Sequence, residues 1–171
     1  MKGNLASKEP QMIQRWLDQK IYQKMLAKNE GKPSFVLPDG PPYANGSIHI
    51  GHALNKTLKD IIIKYKSMKG FLAPFIPGWD CHGLPIEHAV MKNLGPKAKE
   101  KTDAEIRELC RAEAAKWIAH QRPQFQRLGV LADWDHPYLT MDAGDGAEEV
   151  REFARACQRG GVYLGTKPVY W

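Results

Sequence analysis

The chain has 171 residues, and 25 Lys and Arg against 19 Asp and Glu leave a formal charge of +6. With 43% hydrophobic and 26% charged residues, a chain of this length buries roughly 70% of its unfolded surface, which excludes wholesale disorder and two complete domains. The longest apolar runs, such as Ile61-Ile62-Ile63, fall far short of the roughly 20 residues of a membrane span, and residues 1 to 30 alternate charged and apolar positions, so neither a membrane helix nor a secretory signal is expected.

Residues 8 to 28 place Met12, Ile13, Trp16, Leu17, Ile21, Met25 and Leu26 at helical spacing, with Pro10 acceptable in a first turn, and predict one amphipathic helix that packs as a flank. After Gly31-Lys32-Pro33, the run Ser34-Phe35-Val36-Leu37 has the character of a buried strand and ends in the turn-rich Pro38-Asp39-Gly40-Pro41-Pro42. From His49 the period changes: Leu54, Leu58, Ile61, Ile62 and Tyr65 recur on one helical face to about Lys69, while Lys56, Lys59 and Lys66 fall largely elsewhere. Phe71 to Ile76 reads as a second buried strand, with Pro74 arguing for an edge or a bulge.

Strand, loop, helix and strand across residues 34–76 form a βαβ unit, which places the loop before the helix at the ligand-binding end of a parallel sheet. The capping box Thr102-Asp103-Ala104-Glu105 opens a helix over about 103–121 that Pro123 stops or kinks. A further helix over about 146–158 presents Val150, Phe153, Ala154 and Cys157 and ends at Gly160-Gly161. Residues 93–101 read as a short linker, and Val162 to Leu164 with Pro168 to Trp171 form an apolar end, from which truncation is expected because termini are ordinarily exposed and polar. The expected fold class is α/β with an incomplete parallel sheet and flanking helices. Cys81, Cys110 and Cys157 are odd in number and widely spaced, which fits a reducing, cytoplasmic compartment. The modest positive charge suits an anionic partner such as a nucleotide or tRNA.

Two stretches carry the chemistry. The first, Pro41 to His52, is a stiff loop that delivers His49 and His52 to one face of the first turn of a helix, where free N–H groups favour anions. It reads as a phosphate site without a P-loop. A capping role or a metal role for the two histidines competes with that reading, and zinc is disfavoured because no third and fourth ligand stand at workable spacing. Gly51 between them leaves bare backbone that a flat ring such as adenine could approach. The second stretch, Pro77 to Glu87, follows the second strand and so lies at the same end of the sheet. Asp80, among Pro77, Trp79 and Leu84, is a candidate partner for a substrate ammonium; the competing role is a local loop cap, and Trp79 competes as a core residue. Gly160 to Lys167 imitates a Walker frame but places Thr before Lys, and dinucleotide and serine-hydrolase fingerprints do not occur.

These stretches resemble the class I aminoacyl-tRNA synthetases. His49-Ile50-Gly51-His52 matches their HIGH signature. Asp39 to Gly46, Ala53 to Lys56 and Gly78 to Glu87 look like the isoleucyl branch of the family, as do Arg127 to Trp134 and Lys167 to Trp171. The resemblance covers essentially the whole chain. It implies the first half of a Rossmann-like catalytic domain over residues 31–171, behind a helical flank over residues 1–30, with the chain ending where the family's editing insertion would begin.

It also implies ATP-dependent activation of isoleucine to an adenylate, then transfer to tRNA(Ile), with ATP and Mg2+ as substrate and no zinc site in this segment. By the same analogy His49 and His52 are the catalytic pair and contact the ATP phosphates, Gly51 lies beneath the adenine, and Asn45 joins the ATP site. Asp80 holds the α-ammonium, while Gly40 and Pro41 line the amino-acid pocket with Trp79, His82 and Glu87 as further contributors. The expected partners are isoleucine, ATP, the rest of a synthetase chain and, through it, tRNA. The family's Lys-Met-Ser-Lys-Ser signature does not occur in these residues. A stand-alone ATP- or tRNA-binding fragment and a non-functional fragment are therefore the competing readings. A sheet cut in half is expected to expose an unpaired edge and an apolar side.

Overall fold

The structure is a computed structural model that describes residues 3–168. Val169, Tyr170 and Trp171, the end of the apolar segment read from the sequence, lie outside the described residues. Two helices, α1 (Leu5–Asp18) and α2 (Ile21–Lys28), open the chain, followed by α3 (Ile50–Met68), β1 (Gly78–Trp79) and α4 (Leu84–Leu94). A 3₁₀ segment at Gly95–Glu100 leads to α5 (Asp103–Arg127), β2 (Tyr138–Leu139) and α6 (Ala143–Gln158).

The architecture is mixed α/β, but its sheet is much sparser than the apolar runs predict. Among the described residues only β1 and β2 form a ladder, parallel, with Gly78 opposite Tyr138 and Trp79 opposite Leu139. The expected strands at 34–37 and 71–76 meet in a single parallel bridge, Ser34 with Leu72, and a second bridge joins Tyr43 to Asp80. Prolines explain the interruption: Pro33, Pro38, Pro41, Pro42, Pro74 and Pro77 each remove a ladder donor. What remains is three extended segments side by side in chain order. Phe35 N–H donates to Leu72 O at 2.8 Å, Asp80 N–H to Pro42 O at 2.8 Å, and Tyr138 N–H to Pro77 O at 3.0 Å. Where the ladder fails at Phe75, the buried Tyr22 hydroxyl takes over, accepting from Phe75 N–H at 3.0 Å and donating to Phe75 O at 3.2 Å.

The predicted single N-terminal helix breaks at Gln19-Lys20, where Lys20 adopts a left-handed conformation at φ 51°. The break lets α2 turn Tyr22 inward while α1, which buries no residue, stays a flank. Helix α5 opens on the predicted Thr102–Glu105 capping box and runs through Pro123 for another turn. Fully buried Phe125 anchors that turn, so packing outweighs the lost backbone hydrogen bond. Helix α4 was read as loop and linker; Gly83 at φ 91° and Pro85 in its first turn start it. Helix α6 begins three residues earlier than predicted and buries none of its side chains. The core collects Ile63, Phe75, Trp79, Ile118, Phe125 and Trp134 from α3, α5 and the extended segments.

Helix α3 occupies the predicted residues with its faces reversed. Leu54, Leu58, Ile61, Ile62 and Tyr65 are all exposed, whereas Lys56, Asp60, Ile63 and Ser67 are buried. The inward polar groups are consumed by specific partners. Asp60 accepts from Leu131 N–H at 2.9 Å, Lys64 donates to Gly129 O at 3.1 Å, and Asn29 donates to Ser67 O at 2.9 Å. A stripe of exposed aliphatic side chains on one helix is a self-association surface. Replacing Leu58 and Ile61 together by Lys is expected to leave the helical circular-dichroism signal and the stability within about 1 kcal/mol, while lowering apolar-dye binding and self-association in sedimentation. Loss of the helical signal would place this face in the interior.

Candidate active site

The stretch before α3 and the stretch after β1 are joined by main chain: Ala44 N–H donates to Asp80 O and Asp80 N–H to Pro42 O, both at 2.8 Å. The sequence-derived expectation that the two loops face each other therefore takes the form of direct backbone pairing. Beneath them lies Asp39, whose side chain is fully buried and bonds both Lys56 and Lys59 of α3, the latter at 2.7 Å. The same carboxylate accepts from Gly78 N–H at 3.0 Å, and the Tyr138 hydroxyl donates to the Asp39 carbonyl at 2.7 Å. Gly78 has to be glycine, because a Cβ there would lie 2.1 Å from the Tyr138 ring. Burial, reinforced by Asp39, Asp145 and Asp80, pushes the Tyr138 phenol up to about 12, so it stays a donor. Two ammonium groups share one carboxylate in this cluster, and burial, only partly offset by Asp39, holds the Lys56 ammonium below the usual lysine range.

At the start of α3, His49 is the N-cap. Its Nδ1 accepts from Gly51 N–H at 3.1 Å, while its own N–H donates to His52 Nδ1 at 3.2 Å. Both Nδ1 atoms thus act as acceptors, which assigns the proton of each neutral ring to Nε2. The rings stack with centroids 3.8 Å apart, and Phe125 approaches His52 edge-on at 6.3 Å. Burial, then His49, then Lys56 lower the His52 pKa, so the imidazole is neutral at pH 7. A Cβ on Gly51 would meet the His49 ring at 3.0 Å, so the structure accounts for this glycine by the fold of the His49 ring over it.

The remaining candidates divide. Gly40 is exposed and Pro41 half-buried above the Asp39 cluster, and the Lys59 Nζ lies 3.7 Å from where a Gly40 Cβ would stand. Asp80 is half-buried and its Oδ1 accepts from His82 N–H at 3.2 Å, so the local cap is formed. Trp79 is a core residue at 1% exposure rather than a pocket wall. His82 turns away to Thr140 O at 3.0 Å, and with Glu87 it lines a separate cavity of about 590 Å³ that also contains Cys81, Cys110, Arg107 and Arg111. Asn45 spans 3.4 Å to Pro85 O at the start of α4. Among the described residues, no three His, Cys, Asp or Glu side chains are placed to hold a metal ion, and no helix is long and apolar enough to cross a membrane.

One group of residues was missed altogether by the motifs. Helix α5 holds the first loop from below: Gln121 donates to Tyr43 O and Gly46 O, Gln124 accepts from Ile48 N–H at 3.0 Å, and His120 Nε2 lies 2.9 Å from Ser47 Oγ. The available signal was two polar residues at the end of a predicted amphipathic helix and a third beyond Pro123, a pattern that by itself reads as solvated surface.

Comparison with known proteins gives this arrangement a family. The description of the class I tRNA synthetases for I, L, M and V matches residues 11–171. The chain belongs to the class I tRNA synthetases. Within them it is 56% identical, over its whole length, to the isoleucine–tRNA ligase of Halalkalibacterium halodurans and 54% identical to that of Bacillus cereus strain AH187. The chain spans 18% of the length of each of these curated relatives. Among solved structures, the LeuRS of Agrobacterium radiobacter K84, in its ternary complex with tRNA and LeuAMS, superimposes with a TM-score of 0.67 over 93% of this chain and 18% of that one, at 20% identity. That likeness shows a shared class I synthetase fold.

Two measurements probe the electrostatics of this synthetase chain. His52 is expected to titrate below 6.5 with Nδ1 unprotonated, as read from imidazole nitrogen shifts by NMR. Because its folded pKa is depressed, its contribution to stability is present above the unfolded value and is lost as the pH falls through it. Asp39→Asn keeps the shape but strips the counter-charge from two buried ammonium groups. It is expected to cost about 3–5 kcal/mol in urea unfolding, and the deficit should shrink as the pH rises through the depressed Lys56 pKa, where that ammonium releases its proton.

Proposed function

We propose that this chain carries the ATP- and amino-acid-binding half of an isoleucine–tRNA ligase, and that it activates isoleucine together with the remainder of such a protein. The observation that carries the reading is the joined pair of loops. A stacked histidine pair, with its Nε2 protons assigned, opens a helix N-terminus, and the loop that leads into it pairs through Pro42 and Ala44 with the backbone of Asp80. The identity to isoleucine–tRNA ligases across the whole chain supports isoleucine as the amino acid.

The chemistry needs no nucleophile from the protein. The isoleucine carboxylate oxygen forms a bond to the α-phosphorus of ATP, the bond from that phosphorus to the bridging oxygen breaks, and its electron pair leaves with pyrophosphate. The protein's part is positioning and charge stabilisation. Neutral His49 and His52 donate Nε2–H to phosphate oxygens, and the helix N-terminus adds its partial positive charge. ATP brings Mg2+ with it as part of the substrate. Gly40 and Pro41 form the floor against which the amino acid rests, and the net positive Asp39–Lys56–Lys59 cluster lies directly under that floor. Asp80 pairs with the α-ammonium through its free carboxylate oxygen, since the other already accepts from His82 N–H. The acyl group then passes to tRNA(Ile), a step that draws on parts of the protein beyond these residues. Trp79 and His82 act behind this surface, Trp79 from the core and His82 by bracing the loop against Thr140.

The test is isoleucine-dependent exchange between ATP and pyrophosphate by the natural polypeptide that carries these residues, at its full expressed length. Asp80→Ala is expected to raise the KM for isoleucine at least about tenfold, the scale of one lost charge-assisted bond. His52→Ala is expected to lower kcat about a hundredfold. Folded protein that gives no exchange with isoleucine, or equal exchange with leucine, overturns the reading.

A further inference from the structure

Gln121 reaches both loops of the candidate site from α5. It is fully buried, at 0% exposure, in the C-terminal third of α5. Its Nε2 donates to the Gly46 carbonyl at 2.8 Å and to the Tyr43 carbonyl at 3.2 Å, so the arch from 43 to 46 curls around a single amide nitrogen. Its Oε1 accepts from the indole N–H of Trp79 at 2.9 Å, immediately before Asp80. On either side along the helix, His120 and Gln124 hold Ser47 and Ile48, the last two residues before His49.

We propose that Gln121 is a positioning residue that sets the separation between Asp80 and the His49–His52 pair. The proposal rests on the activation reading above and names a residue that acts on that site only through others. The chemistry of the amide is the argument. Two donors on one atom and an acceptor on its neighbour, without charge, are what two carbonyls and an indole N–H require, and among the side chains that can span this gap only a primary amide supplies them. Glutamate offers no donor when ionised, histidine offers one, and lysine or arginine offers no acceptor.

The backbone pairing of Ala44 with Asp80 fixes where the two segments meet, but it leaves residues 45–48 to be placed. Gln121 places them. Without it the pairing and the Asp39 cluster persist, so the chain folds, while the arch and with it the start of α3 relax relative to Asp80. Reacting groups that must stand about 3 Å apart are sensitive to such a shift, and a displacement of roughly 1 Å can cost a hundredfold in rate.

The experiment uses the full expressed polypeptide with Gln121→Met and Gln121→Glu. For Gln121→Met we expect a cooperative melt and a fall in kcat for exchange of about tenfold to a hundredfold per folded molecule. The KM for ATP should change less than kcat, and amide hydrogen-exchange protection should be lost over residues 45–48, at Ile48 above all, but not at Ala44 or within α5. For Gln121→Glu, protonation of the buried carboxyl returns one donor and one acceptor, so its activity relative to wild type at the same pH should rise as the pH falls from about 8 to about 6.

Unchanged amide protection over 45–48 in Gln121→Met overturns the proposal, whatever the activity. So does a kinetic loss matched by the loss of folded protein, or a Gln121→Glu ratio that is flat with pH. A folded wild type without exchange overturns the activation reading instead, and the amide-protection arm still decides whether Gln121 sets the loop.

Discussion

Asp39 sits where three pieces of backbone meet, and its carboxylate is withdrawn from water against Lys56 and Lys59 of α3 and the N–H of Gly78. An ionised carboxylate in such a place is tolerable only with its partners in place, because the desolvation cost of each ion is several kcal/mol. The consequence is geometric more than stabilising. Helix α3, the turn at residues 38–42 and β1 cannot shift independently without separating buried charges, and through the Tyr138 hydroxyl the third extended segment is tied to the same point. The cluster thus holds the body of α3 against β1, while the arch that leads into His49 is held from α5.

This arrangement explains why α3 turns its charged side inward. Amphipathic periodicity places the helix correctly within a residue at each end, and by the usual rule Leu54, Leu58 and Ile61 would face the core. The rule holds when the core is apolar and fails here because the inner surface of α3 meets a carboxylate, a main-chain N–H and main-chain carbonyls. Lys56, Lys64 and Asp60 satisfy those groups, and only Ile63 on that face is an ordinary core residue. The apolar stripe is left to the outside, in keeping with a chain that spans under a fifth of its curated relatives' length.

The candidate site was legible in part. Its histidines, the turn before them and the Gly78–Glu87 stretch carry motifs dense enough to name the family, and the glycines mark close approaches whose partners the structure supplies: the His49 ring for Gly51 and the Tyr138 ring for Gly78. What supports the site from below was not legible. His120, Gln121 and Gln124 lie about 75 residues further along, in no motif, and their roles exist only because α5 passes under the first loop. Trp79 and His82 belong to a recognisable motif, yet the first is spent on the core and the second on Thr140.

The sequence by itself determined the family, the α/β class and the positions of α3 and of the start of α5, and it named the candidate residues of the site. Those features rest on local rules: periodicity along one helix, a capping box, and residue types fixed at short spacing. Tertiary structure alone decided which face of α3 is buried, that the proline-rich segments pair through isolated bridges rather than ladders, that α5 continues past Pro123, and that Gln121 joins the two loops. Each of these is settled by a partner distant in the chain. The energy of burying a polar group or continuing a helix depends on what waits on the other side, and no local pattern carries that information.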